Sequence, residues 1–394
     1  MGDRGEKGAL MATVDIAATA PARPGIAERT PLRYLDPILI FCLVALSIYG
    51  LLMVYSSTHQ SLETFHVDPG YYLKRQMLFL VVGVVALAVA TVVDYRLIKI
   101  YAGFFYAGSV VLLLLVRTPL GSSALGAQRW FQLAGFQFSP SLFARLALIL
   151  MLAAFLSEVK GELTLRHVLR ACAIGALPMV LVFVQPDIGT TIILAAILVG
   201  LLVVSGASTK HLLVLAMAAM LGIFGAFQLH IVKDYQVSRL TSFLDSSKDA
   251  QRANYNKNQA EIAIGAGGLT GRGYLHGSQT ALNYVPEQHT DFIFTVVGEE
   301  LGFVGAITLL GLFALVLWRA FKIALLSRDP FGTFVAAGVA TMIAIQVFVN
   351  VGMTIGIMPI TGIPLPFISY GGSALIADFI GIGLLLNVNM RRFA

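Results

Sequence analysis

Charge is what this chain has least of. Of its 394 residues only 12% are Asp, Glu, Lys or Arg, against 57% hydrophobic, and the mean hydropathy is +0.82. Soluble globular domains carry about 25% charged residues, so that class is excluded. Cysteine is nearly missing as well: Cys42 and Cys172 both lie in apolar runs, with no C-x-x-C and no framework for disulfides. The seven histidines are scattered, without H-E-x-x-H or other metal spacing. The net charge of +6 sits mostly in loops and tails. No basic stripe interleaves with aromatics, which argues against nucleic acid as a partner. Residues 1–30 lack an apolar core ahead of a small-residue cleavage site, so no cleaved signal peptide is expected.

What the chain has instead is apolar runs, at about 37–55, 77–93, 99–116, 141–156, 171–185, 188–206, 211–230, 292–318, 333–357 and 373–389. Their lengths suit a bilayer. The fold class expected is an all-α polytopic membrane protein of about ten transmembrane helices. Residues 1–33 read as a disordered cytoplasmic tail, and 34–394 as a single membrane domain. Only Gln185-Pro186-Asp187 separates the fifth and sixth runs; Pro186 breaks a helix and Asp187 begins the next, a tight hairpin. Lys and Arg concentrate in alternate short connections (Arg96 and Lys99; Lys160, Arg166 and Arg170; Lys210; Arg319, Lys322 and Arg328; Arg391 and Arg392), which puts both termini inside. Lys74 and Arg75, on the other side, break that pattern.

The longest connection, about 231–291, is then a large outer loop between the seventh and eighth spans. Tyr235, Arg239, Phe243, Leu244 and Tyr255 make it unlike a linker, and Gln251 to Ile264 has a helical face, so partial structure is expected. Its glycine cluster, Gly265 to Gly277, fails both G-x-G-x-x-G and the P-loop pattern. It reads as a close-packed turn needing positive φ, or as a backbone-lined groove for a sugar or diphosphate with Arg272 adding charge.

The acids gather where this loop meets the eighth span. Tyr284 to Gly305 holds Glu287, His289, Asp291, Glu299 and Glu300, and acids at the end of a membrane span need a partner, an exit to water or a task. Thr290 as N-cap with Asp291 on the helix dipole is the plain structural reading. A carboxylate held at a wet–dry boundary is also placed to act as a base. Arg145, about one turn into the fourth span, is costly without a partner, and Asp187, Glu299 and Glu300 are the candidates. Arg129, beside Trp130, presents a fork that suits phosphate oxygens. Finally, Met358 to Ser373 carries three prolines and three glycines. These forbid a continuous helix and deliver Ser369 and Tyr370 to the outer face on a rigid loop.

Several separated motifs together resemble the SEDS family (shape, elongation, division, sporulation): Gln185-Pro-Asp-Ile-Gly189, Ala263 to Gly268, Gly277-Ser-Gln279, Pro286 to Phe294 with Gly298 to Gly302, Asn350 to Met353, and Pro359 to Ser373. The forms of the Pro359 loop and of Asn283 to Gln288 resemble the elongation branch, RodA, more than the division branch, FtsW. The resemblance implies a ten-span peptidoglycan glycosyltransferase acting on lipid II at the outer face of the cytoplasmic membrane. It also implies a class B penicillin-binding protein as partner. The family's essential aspartate maps onto Asp291, with Arg129, Arg145, Arg239, Arg272, Gln279, His289, Ser369 and Tyr370 as candidate substrate contacts. Asp187, Glu299 and Glu300 are expected to be structural. No protein metal site is expected, and a divalent cation, Mg or Mn, is a candidate cofactor for the leaving diphosphate. One departure stands out: the family usually writes Q-P-S-E at the fourth span with a basic residue three positions on, and here the acidic position is Leu142 and the basic one Arg145. Gln128 likewise stands where Arg is common. A lipid-linked precursor transporter and a non-catalytic scaffold for the penicillin-binding protein are the competing readings.

Overall fold

The computed structural model describes residues 35–124, 127–133, 136–228 and 253–392. The tail 1–33 and Arg239 lie outside the described residues. The helices are α1 (Pro37–Thr64), α2 (Tyr71–Val92), α3 (Tyr95–Leu115), α4 (Pro140–Ser157), α5 (Leu165–Val184), α6 (Ile188–Val204), α7 (Thr209–Gln228), α8 (Ala253–Gly267), α9 (Ser278–Ala281), α10 (Ile293–Leu325), α11 (Pro330–Thr354) and α12 (Gly372–Arg391). Eight of them, α1 to α5 and α10 to α12, are long and apolar enough to cross a membrane, and α6 and α7 carry shorter apolar stretches. The chain is an integral membrane protein. α8, in the long connection, covers most of the helix expected from residue 251 to 264.

Aspartates start several helices, as their short side chains dictate. Asp36 accepts from the Ile38 and Leu39 N–H groups ahead of Pro37. Asp187 accepts from the Thr190 N–H at 3.0 Å, and Asp329 from Gly332 ahead of Pro330. The all-helical reading missed one element. Between α3 and α4 lies an antiparallel sheet of β1 (Ser122–Ala124), β2 (Ala127–Leu133) and β3 (Phe136–Phe138), which pairs Ser122 with Trp130 and Phe131 with Phe138. β1 and β3 have three residues each, and the seven of β2, AQRWFQL, do not alternate strictly between apolar and polar.

The core runs through α11 and α12, the most buried spans. α12 packs along α2, and α11 against α4, α6 and α10. Without a hydrophobic drive between helices in lipid, small residues let them approach closely. Gly338 lies against the Ile149 side chain, and Gly383 against the Leu87 backbone. The outward faces of α2 and α3, with Val81, Val85, Ile100 and Phe104, stay apolar and exposed, as a lipid-facing surface requires.

α10 is broken. Gly302 takes φ 61° and ψ −161°, which splits the element into a short first half ending at Leu301 and a long second half. A break inside a membrane span leaves backbone groups that lipid cannot satisfy. Here the glycine cluster enters the gap. Arg272 and Gly273 donate their N–H groups to the Glu299 and Glu300 carbonyls, each at 3.0 Å. In return Phe303 and Val304 donate to the Gly268 and Leu269 carbonyls at 2.9 and 3.0 Å. The close-packed-turn reading of this cluster is the one observed: Gly268, Gly271 and Gly273 have φ of 57°, 81° and 100°. A Cβ at Gly271 would stand 2.1 Å from the Glu300 carbonyl oxygen. Gly271→Ala is therefore expected to lower the thermal midpoint of the purified protein, at a cost of more than about 1 kcal/mol. A midpoint equal to wild type would show that the break does not rely on this contact.

Candidate active site

Three segments meet where the first half of α10 begins: the turn before it, the loop 355–371 between α11 and α12, and the N-terminal end of α2. The turn is held from within, since the Asp291 and Phe292 N–H groups both donate to the Glu287 carbonyl, at 3.1 and 3.2 Å. Thr290 is not the cap expected of it. The N-cap is Phe292, without a side-chain bond, and the Thr290 hydroxyl donates instead to the Glu287 carbonyl and carboxylate. Asp291 is thus half-buried just ahead of the helix start, next to the dipole's positive end.

Asn350, near the end of α11, fixes this aspartate to the opposing loop. Its buried amide donates to the Asp291 carbonyl at 2.8 Å and to the Ile363 carbonyl at 2.7 Å. Beside them Gly362 has φ 73°, and a Cβ there would lie 3.2 Å from Asp291 Oδ2. The loop is braced on the other side by Gly189 of α6, which abuts the Thr361 carbonyl and Ile363.

His289 and Tyr370 also come together, the Tyr370 N–H donating to the His289 carbonyl at 2.9 Å. Their rings pack on Tyr72 of α2, with centroids 4.9 Å and 5.0 Å from it. Arg75, one turn along α2, donates to the Tyr71 hydroxyl at 2.8 Å and also bonds the Tyr370 hydroxyl. Burial pushes the Tyr370 phenol up, and Arg75 opposes that shift. Arg75 and Tyr72 were missed as site residues. The signal was there, because Lys74-Arg75 departs from the alternation of Lys and Arg among the short connections.

The remaining candidates are placed less directly. Ser369 is buried and shapes its own loop: its hydroxyl accepts from the Leu365 N–H at 2.8 Å, and its carbonyl from Gln76 at 3.2 Å. Arg129 clamps the α5–α6 turn through the Gln185 carbonyl at 2.9 Å and the Pro186 carbonyl, with Asp187 at 3.9 Å. Arg272 stays exposed and bonds the Ala266 carbonyl and the Ser278 hydroxyl. Gln279 contributes its backbone N–H, which donates to Glu299 at 2.7 Å. Buried Glu299 also accepts from the Thr280 N–H at 2.9 Å and hydroxyl at 2.7 Å, so it caps α9. Glu300 accepts from the Ser56 hydroxyl. Glu299 is thus satisfied by N–H and O–H donors, Glu300 is engaged through one oxygen by a hydroxyl, and neither pairs with Arg145. The acid nearest to Arg145 is Asp378 of α12, at 4.0 Å. Asp187 acts on it only at longer range.

Among the described residues no three His, Cys, Asp or Glu side chains come close enough to share a cation. These residues do not by themselves form a holder for a divalent ion.

The fold and this site define a class: a helical membrane protein whose polar centre lies where one end of its bundle meets a long connection. The family follows from comparison. The model of the FtsW, RodA and SpoVE family, described as cell cycle protein, matches residues 37–393, and the chain belongs to this family. Among its relatives is the probable peptidoglycan glycosyltransferase FtsW of Geobacter sp. (strain M18), 37% identical over 366 residues, covering 90% of this chain and 97% of that protein. Another is the peptidoglycan glycosyltransferase MrdB of Escherichia coli (strain K12), 37% identical over 361 residues, covering 91% and 94%. A solved structure on the structural coordination of polymerization and crosslinking by a peptidoglycan synthase complex contains a chain that superposes with a TM-score of 0.76. The two are 31% identical, and the match covers 91% of this chain and 98% of that one.

His289 yields a pH prediction. Burial holds its imidazole below the ordinary value of 6.5, with Glu287 opposing. The unfolded chain therefore binds a proton that the folded one refuses, and stability falls as pH drops from about 6.5 through the folded value. The thermal midpoint should decline over that window, and His289→Gln should remove part of the decline. An unchanged slope in the variant would overturn the assignment.

Proposed function

We propose that this protein is a peptidoglycan glycosyltransferase that polymerises lipid II into β-1,4 glycan strands during cell elongation. The site lies at the outer face of the cytoplasmic membrane, with both termini inside. The observation that carries this reading is Asp291, set ahead of the first half of α10 and tied through its own carbonyl to Asn350 and the loop at Gly362. Among the described residues, no other at this junction combines a half-buried carboxylate with so fixed a backbone.

In this reading Asp291 is the base. It takes the proton from the acceptor sugar's 4-hydroxyl as that oxygen attacks the anomeric carbon of the donor. The new glycosidic bond forms as the bond to the diphosphate breaks, and the electron pair leaves with undecaprenyl diphosphate. An α-linked donor and a β-linked product require only this one inverting displacement, with no covalent enzyme intermediate. The leaving anion needs fixed positive charge. Arg75, set between Tyr71 and Tyr370, is the described cation that the contacts place beside this site, and the exposed Arg272 of the glycine cluster is a second candidate. His289, Tyr72 and Tyr370 offer an aromatic wall against which a sugar ring can lie.

The partner proposed is a class B penicillin-binding protein that cross-links the strands. The similarity to a chain from a peptidoglycan synthase complex supports it. The broken α10 and the buried Arg145–Asp378 pair are also features that a lipid-linked precursor transporter would use. Polymerisation of lipid II by the purified protein with its partner separates the two readings. Asp291→Asn is expected to lower glycan polymer at least about 100-fold, the scale of a lost general base, with folding and partner binding intact. Wild-type polymer from that variant would sink the base assignment.

A further inference from the structure

We propose that Asp378 is a positioning residue of this site. From α12 it supplies the counter-charge that Arg145 lacks on its own helix, and so it ties α4 to the helix that carries the loop 355–371. The starting point is burial: Arg145 is 0% exposed and Asp378 1%, inside a span where an isolated charge of either sign is costly. Arg145 Nη2 lies 4.0 Å from Asp378 Oδ1. Gln346 of α11 completes the cluster. With its amide turned to satisfy both ends, its oxygen accepts from Arg145 Nη1 at 2.9 Å and its nitrogen donates to the Met342 carbonyl at 3.2 Å. Three helices therefore meet on one guanidinium.

The guanidinium also points back along α4, with Nε donating to the Leu142 carbonyl at 3.2 Å. A side chain at 142 is one turn N-terminal to Arg145, within reach of it. That is where the family's motif carries an acid and this chain carries a half-buried leucine. Here the counter-charge stands on a neighbouring helix and not on α4, which decides what it does. A pair within α4 would fix only the rotamer of Arg145, whereas a pair between α4 and α12 sets the two helices against each other. The start of α12 is the far anchor of the site loop. Ser373 accepts from the Ser139 N–H at 3.2 Å and donates to the Gln137 carbonyl at 2.7 Å. Two residues upstream of α12, Tyr370 joins His289. Lower down, Gly381 brings α12 against Met342, Val339 and Leu146. A buried ion pair gives little net stability but holds geometry when it is kept whole.

This inference rests on the proposed glycan polymerisation for one of its two readouts. The test uses the full-length protein in three forms: wild type, Asp378→Leu and the double variant Leu142→Glu/Asp378→Leu, each scored for thermal midpoint and for lipid II polymerisation with the partner. Asp378→Leu should lower both, the rate by at least about tenfold, because one partner of a buried pair is left bare. The loss should fall on kcat rather than KM, since the pair is sealed from the site. The double variant returns an acid to α4 and should recover the midpoint while kcat recovers only in part, since the tie between the helices is not restored. Wild-type kcat in Asp378→Leu would overturn the proposal. So would full recovery of kcat in the double variant, which would reduce Asp378 to a charge that any position could supply. If even the wild type makes no polymer, the proposed function fails, and the midpoints still decide the pairing. Recovery in the double variant supports Asp378 as the counter-charge, and a midpoint as low as that of Asp378→Leu overturns it.

Discussion

Four backbone hydrogen bonds between the glycine cluster and the break in α10 hold the rest of the site in place. A membrane span cannot end partway through the hydrocarbon, because each N–H or C=O left open there costs several kcal/mol. The Gly268–Gly273 segment answers that demand by lying across the break and exchanging bonds in both directions with residues 299–304. Only glycine permits the approach at Gly271, where the Glu300 carbonyl occupies the place of a side chain. In consequence the first half of α10 is free to follow the turn that carries His289 and Asp291, rather than the axis of the span below it.

The same segment explains the two adjacent glutamates. Glu299 is engaged by the start of α9, and Glu300 by Ser56 of α1, so each acid joins the long connection or a neighbouring helix to α10. Their burial is supported by donors rather than by cations, and Arg272 stays exposed. A second set of ties lies away from the site. Asp36 with Arg319, and Tyr95 with Asp329, join distant helices at the opposite end of the bundle. Polar contacts between spans fix register where apolar packing in lipid gives little preference.

The family relation bears on activity through the site and not through the fold alone. Sequence identity is the same, 37%, to relatives named for FtsW and for MrdB. The motif forms around Pro359 and Asn283 therefore bear more on the branch than overall similarity does.

Much of this was legible in the residues. Run lengths located the spans, Pro186-Asp187 marked the turn between two of them, the glycine cluster announced positive φ, and the crowding of acids singled out the turn around Asp291, because hydropathy, capping and backbone permissiveness are local properties. The pairings were not legible. Arg145 had Asp187, Glu299 and Glu300 as plausible partners, and took Asp378 from a helix more than 200 residues later in the chain. Asn350 stood in a recognisable motif, yet its two carbonyl partners come from the turn before α10 and the loop after α11. The sheet between α3 and α4 left no alternating pattern to read. Sequence alone determined which residues had to be in the membrane and which could not continue a helix. Only the tertiary structure decided who neutralises whom, since an ion pair or a bridging amide depends on which helices become neighbours, and that is set by packing across the whole bundle.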